Sequence, residues 1–204
     1  MALAILKENC TVEEYMELEK TSPIRHEYVD GQVYAMTGET KNHNRILADL
    51  FRELNDQLAN RKCEAFIENV KVKVRPALFY YPDLAVSCES LTEIEDEDEY
   101  VVNNPIMIVE VLSKSTERTD RNEKMREYKN IDSLREYVII AQDRMRVEIY
   151  RRSQPGEDWR GEIYGGAEKE ALFESVGAKV KLADIYKRVR FSETPELEES
   201  EELR

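Results

Sequence analysis

The chain has 204 residues, a length typical of one domain with a sizeable core, and it mixes apolar and charged residues as folded proteins do. The opening segment, MALAILKENC, reaches Lys7 and Glu8 too early for a signal peptide, and no apolar run is long enough to span a membrane. We therefore expect a cytoplasmic protein without a membrane partner. A net charge of −13 argues against a broad basic face for nucleic acid.

The negative charge is concentrated in two segments. The loop 93–99, EIEDEDE, carries six acids, and the tail 192–204 carries six Glu and one Arg. Without these segments the chain has a net charge of −2, so a polyanionic substrate is not excluded. We predict one domain over residues 1–191 and a disordered acidic tail over 192–204.

The three cysteines, Cys10, Cys63 and Cys88, are far apart and lack CxxC or CxxH spacing. Such a set indicates neither a disulfide framework nor a zinc site. We interpret all three as small buried or neutral residues.

The first third of the chain predicts a helix, a hairpin and a longer helix. Thr11 precedes VEEYMELE with Glu14 at capping-box spacing, which is typical of a helix start. Apolar alternation around Asp-Gly in segment 25–36 predicts a β-hairpin. Apolar residues from Ile46 to Leu58 recur with helical periodicity, which predicts a helix over about 41–61.

The middle of the chain is rich in strand patterns. CEAFIE and VKVKV are predicted strands, and YYPDLAVS is a third. Because Pro82 has no N–H to donate, it should lie at the start of that strand or the strand should be at the edge of the sheet. PIMIVEVL, residues 105–112, is almost continuously apolar, as in a central strand covered on both faces. A helix is expected from about residue 115 or 116 to Ile131, with Met125, Tyr128 and Ile131 as its buried stripe.

After this helix we predict strands at EYVIIA and RVEIYRR, and then further strands from EIYGG to AKVKLADIY. The whole order indicates an α/β (α+β) fold, with a mixed central sheet flanked by helices, an N-terminal helix and hairpin, and extra C-terminal strands. The basic stretch 144–152 is either a solvated edge strand or a surface that faces DNA.

Two acids interrupt apolar strands: Asp83 near the start of one and Glu110 near the end of another. A buried unpaired charge costs several kcal/mol, so such acids usually serve a cation or a reaction. If the two strands are antiparallel neighbours, both acids meet at one edge of the sheet. Two close carboxylates ionise readily only around a cation, and their oxygens suit Mg²⁺ or Mn²⁺.

A lysine near these acids would orient water or hold a phosphate. Leu112, not a lysine, stands two residues after Glu110, but the next helix places Asp120, Lys124 and Tyr128 on one face. Lys124 therefore becomes the candidate cation, with its ammonium leaning over the strand ends.

This arrangement resembles the PD-(D/E)XK nuclease superfamily. The wider amino-acid sequence resembles the Uma2 family of restriction-endonuclease-like proteins within it, which is common in cyanobacteria. The resemblance is carried, in chain order, by HEYVDGQVYAM, HNRILADL, YYPDLAV, IVEVLSKST, DRNEKMREY and LREYVIIAQDR. Together these pieces cover most of residues 11–152. The resemblance implies a restriction endonuclease-like core and a lysine displaced onto the helix at Lys124.

The same resemblance implies the chemistry. It suggests a Mg²⁺- or Mn²⁺-dependent endonuclease that hydrolyses DNA phosphodiester bonds, with Asp83 and Glu110 as metal ligands and Lys124 as a catalytic group. Glu27 in HEYVDG and His43 are further candidates for the site. Around these groups we expect further residues that contact and position them, namely Ser113, Thr116, Asp120 and Tyr128. Cutting both strands of DNA would call for a homodimer.

Plainer interpretations stay open for each residue. In these interpretations Asp83 would cap a turn after Pro82, and Glu110 would pair with a buried basic residue. Lys124 would pair with the acid one helical turn earlier. Glu27 pairs with a base across the strands, and His43 is a structural helix residue. The alternative function is an inactive nuclease-fold protein that binds nucleic acid or a protein partner.

Overall fold

The computed structural model describes residues 5–36, 38–88 and 99–191. In chain order its strands are β1 Ile5–Lys7, β2 His26–Val29, β3 Gln32–Ala35, β4 Glu64–Ile67, β5 Lys71–Arg75, β6 Leu78–Tyr80, β7 Leu84–Ser87, β8 Val101–Val102, β9 Pro105–Val111, β10 Glu136–Ile140, β11 Arg146–Arg151, β12 Arg160–Gly165, β13 Glu170–Phe173 and β14 Ala178–Lys181. The helices are α1 Val12–Thr21, α2 Lys41–Leu58, α3 Glu117–Thr119, a π-helical turn Asp120–Lys124, α4 Met125–Tyr128 and α5 Leu182–Ile185.

The strands form two six-stranded sheets and one two-stranded sheet, in the mixed α+β arrangement that the sequence predicts. The first sheet has the order β1-β3-β2-β6-β5-β8, and the second has the order β12-β11-β10-β9-β7-β4. In the second sheet β9 and β10 are parallel, whereas the other neighbours are antiparallel. The remaining pair, β13 and β14, is an antiparallel hairpin.

The local sequence rules hold at the N-terminal elements. Thr11 and Glu14 form the expected capping box at the start of α1. The β2–β3 hairpin turns at Asp30 and Gly31, which both have positive φ, as a tight hairpin turn requires.

Strand β9 lies inside the second sheet and is covered on both faces. On one face α2 packs its leucines and Ile46 against the sheet together with β13 and β14. On the other face Tyr128, Ile131 and Leu134 pack against Ile108 and residues of the neighbouring strands. This double cover explains why PIMIVEVL is almost entirely apolar.

The predicted helix after β9 exists, but it is not a regular α-helix. Residues 117–128, which we call the site helix, begin as α3, widen into the π-helical turn and end as α4. Tyr128 and Ile131 are buried as predicted, and Met125 is half-buried. Single π turns occur often at functional sites.

Two sequence interpretations prove wrong. Cys63 and Cys88 form a disulfide, because β4 pairs with β7 and brings the two residues opposite each other; Cys10 is buried and free. Strand β11 is an interior strand with β12 outside it, not an edge. Arg151 and Arg152 within the basic stretch are buried and bind internal partners, so those two do not face DNA.

Several expectations fall outside the described residues. The tail 192–204 does so entirely, and the acidic loop 93–99 does so apart from Glu99. Among the described residues, no helix is both long enough and apolar enough to cross a membrane.

The site helix is fastened to β11 by a buried ion pair. Both terminal nitrogens of Arg121 donate to the two carboxylate oxygens of Glu148 at 2.9 Å, and Arg146 Nε donates to Glu148 at 2.8 Å. The Arg121 hydrogen bond lowers the pKa of Glu148 to about 2; burial opposes this shift and Arg146 reinforces it. The contact fixes the π turn between its two site residues, Asp120 and Lys124.

We expect Glu148→Gln to lower the free energy of unfolding by about 2–3 kcal/mol at pH 7. The stabilisation by the ionised carboxylate is complete above the unfolded-state pKa of about 4.3. It is lost as pH falls through the folded-state pKa of about 2. Urea unfolding at several pH values measures this, with the exposed Glu170→Gln as control. A Glu148→Gln deficit that persists unchanged at pH 2 would contradict the assignment.

Candidate functional site

The strand pairing brings the two predicted acids together. Strands β7 and β9 are antiparallel, with Leu84 opposite Val109, so Asp83 and Glu110 come next in the same register. Glu27 on β2 and Asp120 on the site helix line the same small cavity of about 60 Å³ as these two acids. Lys124 lines the same cavity. The structure thus gathers Asp83, Glu110, Lys124, Glu27 and His43 into one place.

Lys124 stands among three of the acids. Its Nζ lies 2.8 Å from Glu27 Oε1, 3.2 Å from Glu110 Oε1 and 3.7 Å from Asp120 Oδ1. Burial disfavours its charge, but Glu110 and Glu27 outweigh burial and raise the pKa of Lys124 well above its ordinary value. The ammonium therefore stays charged.

Glu110 is only 3 % exposed, in the middle of the sheet. Its Oε1 accepts hydrogen bonds from Lys124 Nζ and, at 3.1 Å, from the Tyr128 hydroxyl. Burial raises the pKa of Glu110 well above its ordinary value; Lys124 opposes the shift and the other acids strengthen it. The ionised carboxylate is therefore held at a cost in folding free energy.

Asp83 does not cap a turn. Its Oδ2 accepts the Val111 amide of the neighbouring strand at 2.6 Å and contacts His43 Nε2 at 3.0 Å. Burial alone would lower the pKa of His43, but the hydrogen bond and charge of Asp83 raise it overall. His43 thus orients Asp83 from the first turn of α2. The Asp83 side chain is 18 % exposed, so it is the more accessible of the two acids in the paired strands.

The charges in this cavity are not balanced. Five carboxylates, including Glu39 at the cavity mouth, face one lysine and one histidine, and Asp120 Oδ1 is buried without a hydrogen-bond partner among the described residues. Burial raises the pKa of Asp120, with Lys124 opposing. A group of this kind gains from an additional proton or cation.

The donor set suits Mg²⁺ or Mn²⁺, because carboxylate oxygens are the ligands these ions prefer. Mg²⁺ commonly takes one or two carboxylates and completes its shell with water and phosphate oxygens. As the described side chains stand, no three His, Cys, Asp or Glu groups are positioned to hold an ion by themselves. Asp83 and Glu110 therefore fit as a partial ligand pair, with the remaining positions left to water and substrate.

Supporting residues from the sequence analysis are also placed nearby. Tyr128 contacts Glu110 directly, as described above. Ser113 Oγ and Thr116 Oγ1 are 3.0 Å apart in the loop before the site helix, and Thr116 lines the cavity. These hydroxyls close the turn that leads from β9 into the site helix.

The sequence analysis missed Glu39. This residue lies exposed at the cavity mouth, where desolvation by its surroundings raises its pKa, His43 opposes the shift and Asp83 adds to it. It immediately precedes Thr40, the N-cap of α2. No sequence pattern marks it, because only the fold brings the start of α2 over the acids.

A buried network behind the cavity was also missed. Glu19 binds His26 Nδ1 at 2.8 Å and the Tyr81 hydroxyl at 2.5 Å. The Tyr81 amide in turn donates to Glu27 Oε1 at 3.4 Å. The network therefore ties α1 to the strand segments that carry Glu27 and Asp83. The spacing of these residues in the chain gives no hint of the contacts.

Comparison with known proteins places this site in a family. A family model described as "Uma2: Putative restriction endonuclease" matches residues 12–182. The chain belongs to the Uma2 family. The segments HEYVDG, YYPDLAV and IVEVLSKST lie within the matched residues and supply Glu27, Asp83 and Glu110 to the cavity.

Two relatives come from the cyanobacterium Synechocystis sp. and are described as uncharacterized proteins. One, slr1290, is 31 % identical over 180 residues, covering 88 % of this chain and 92 % of that protein. The other, sll1609, is 32 % identical over 143 residues, covering 70 % and 80 % respectively.

A solved structure supports the fold. The chain resembles a crystal structure from Anabaena variabilis, described as a putative nuclease belonging to DUF820, with a TM-score of 0.67. The similarity covers 87 % of this chain and 97 % of that one at 18 % identity. It establishes a shared mixed α+β fold.

The raised pKa of Glu110 leads to a stability prediction. A raised folded-state pKa means that stability falls as pH rises through that pKa, so the ionised carboxylate destabilises the fold at pH 8. We expect Glu110→Gln, which keeps the shape and the acceptor oxygen, to raise Tm at pH 8 by about 2–4 °C. The difference in Tm between Glu110→Gln and the wild type should become smaller towards pH 4.

Thermal unfolding at both pH values measures this effect. The exposed Glu170→Gln is the control and should leave Tm unchanged at both. An unchanged or lower Tm of Glu110→Gln at pH 8 would show that Glu110 is not strained by its surroundings.

Proposed function

We propose that the chain is a Mg²⁺- or Mn²⁺-dependent endonuclease that hydrolyses DNA phosphodiester bonds. One observation carries the proposal: Asp83 and Glu110 lie opposite each other on antiparallel strands, with Lys124 bound to Glu110 at 3.2 Å. Membership of a family described as "Putative restriction endonuclease" supports the same activity.

Each residue of the site would have its own role in the hydrolysis. Asp83 and Glu110 would hold the ion, which when bound makes water more acidic and neutralises charge on the phosphate. Lys124 would orient the attacking water or a phosphate oxygen through its ammonium. His43 and the Val111 amide hold Asp83 in place, and Tyr128 does the same for Glu110. Such preorganised contacts avoid reorganisation during the reaction.

We also propose the wider setting that follows from this activity. Residues 1–191 would be one catalytic domain, acting in the cytoplasm. Since the described residues of each chain offer one such site, cleavage of both DNA strands would use a homodimer with two-fold symmetry.

A second candidate is a nuclease-fold protein that binds nucleic acid or a protein partner without cleaving. One observation favours it: Lys124 Nζ already lies 2.8 Å from Glu27 and neutralises part of the acidic set. In that case the lysine would act as a permanent substitute for a metal ion.

Cleavage of supercoiled plasmid DNA distinguishes the two candidates. With Mg²⁺ or Mn²⁺ we expect nicking by the wild type, and a loss of at least about 100-fold in Asp83→Asn, Glu110→Gln and Lys124→Met. Glu170→Gln should cleave like the wild type, and a chelator should stop the reaction.

Calorimetry with the metal alone adds a second measurement. Mg²⁺ or Mn²⁺ binding that is lost in Glu110→Gln supports a metal site independently of cleavage. Metal-dependent nicking that survives in Asp83→Asn would refute the proposed nuclease site. A wild type that neither cleaves nor binds metal in the presence of DNA would leave the second candidate.

A further inference from the structure

A second, larger cleft opens beside the acidic cavity. Its volume is about 450 Å³, within the range of pockets that hold organic ligands. Glu39 and Ser115 line both spaces, so the cleft continues directly from the acids. We call it the lateral cleft; its walls include Lys114, Arg144, Arg190 and Phe191. The roles proposed above for the acidic site do not use these residues.

Two of the three cations that line the lateral cleft are outside ion pairs among the described residues. Three acids line it: Glu117 is paired with Arg121 at 2.9 Å, Asp143 is paired with Arg144 at 3.4 Å, and Glu39, at the boundary with the acidic cavity, forms no ion pair among the described residues. Within residues 5–36, 38–88 and 99–191, neither Lys114 nor the Arg190 guanidinium forms an ion pair. Both are exposed and therefore accessible to an anion.

One wall of the cleft is an aromatic ring held in a defined position. Phe191 is 37 % exposed, and its ring centroid lies 5.8 Å from that of Tyr186. The Tyr186 hydroxyl donates to the Ala141 carbonyl at 2.8 Å. Asn42 accepts the Arg190 amide at 3.3 Å and donates to its carbonyl at 2.8 Å. The segment that presents Phe191 is therefore fixed to the start of α2.

We propose that the lateral cleft binds a nucleotide of an unpaired DNA strand, next to the bond that is cleaved. Its phosphate would contact Arg190 and Lys114, and its base would stack on Phe191. This inference rests on the proposed nuclease function and narrows its substrate to DNA with a single-stranded segment.

The chemistry favours an unpaired strand over a duplex. Aromatic side chains stack on bases that are free of the helical stack, as in proteins that bind single strands. Proteins that bind duplex DNA usually carry a broad basic face. The exposed cations of the lateral cleft that lie outside ion pairs among the described residues are Lys114 and Arg190, and the chain outside its two acidic segments has a net charge of −2.

Fluorescence anisotropy with a labelled oligothymidylate and a duplex of the same length tests the proposal. The assay contains a chelator, so that binding is measured without cleavage. We expect tighter binding of the single strand by the wild type. Phe191→Ala should weaken it by roughly 5- to 100-fold, whereas Phe191→Tyr should retain it. Arg190→Gln should reduce the slope of log affinity against log salt by about 0.7.

Lys62→Gln is the matched control. Lys62 lies beyond the C-terminal end of α2, and the cleft lies at the N-terminal end, about 27 Å away by helical rise. Its removal should leave affinity for the single strand almost unchanged. Thermal unfolding of each variant checks that the fold is intact.

The outcomes separate this inference from the proposed nuclease function. Equal or tighter binding of the duplex, or unchanged binding by Phe191→Ala, overturns the inference even if plasmid cleavage is found. If the protein shows the expected binding pattern but fails to cleave, the lateral cleft binds an unpaired strand as inferred, and the proposed nuclease function is overturned.

Discussion

The site depends on one buried cation. Lys124 Nζ is the positive charge within reach of Glu27, Glu110 and Asp120, which come from two different sheets and the site helix. Without the ammonium these carboxylates would repel one another in a medium of low dielectric constant. The same contact therefore joins the layers of the protein and defines the chemical site. The positive charge leaves part of the negative charge uncompensated, which suits a group that binds a further cation.

The sheets supply the rigidity that this arrangement needs. Glu110 lies on an interior strand covered on both faces, so its carboxylate has little freedom to move. Asp83 is held by a backbone amide of the neighbouring strand and by His43 from α2. The network around Glu19 and Tyr81 holds the β2 side of the cavity in a similar way. Each acid is thus positioned by a different element, and Asp83, Glu110 and Glu27 are fixed by hydrogen bonds that involve backbone or buried groups.

Much of this architecture could be predicted from local patterns. The capping box, the Asp-Gly hairpin, the periodicity of α2 and the apolar run of β9 each depend on neighbours in the chain. The convergence of Asp83 and Glu110 followed from one assumption, antiparallel pairing, which the structure confirms. Glu39, the Cys63–Cys88 bond and the Glu19 network could not be predicted, because residues far apart in the chain create them. The interpretation of the basic stretch 144–152 as an exposed edge or a surface that faces DNA was wrong for Arg151 and Arg152 for a related reason. Composition does not reveal that these two residues bind partners inside the protein.

The π-helical turn has a consequence for how the family could gain or lose its site. Such a turn holds one more residue than a regular α-helical turn, so removing a single residue would restore the α-helix. The α-helical segments on either side would keep their orientation, because the wide turn accommodates the extra residue, and the side chains within the turn would move to other faces of the helix. Tyr128 could keep its place in the core while Asp120 turned away from the acids. Removing one residue would therefore change the contacts of Asp120 and Lys124 with the other acids and leave the flanking helical segments in place.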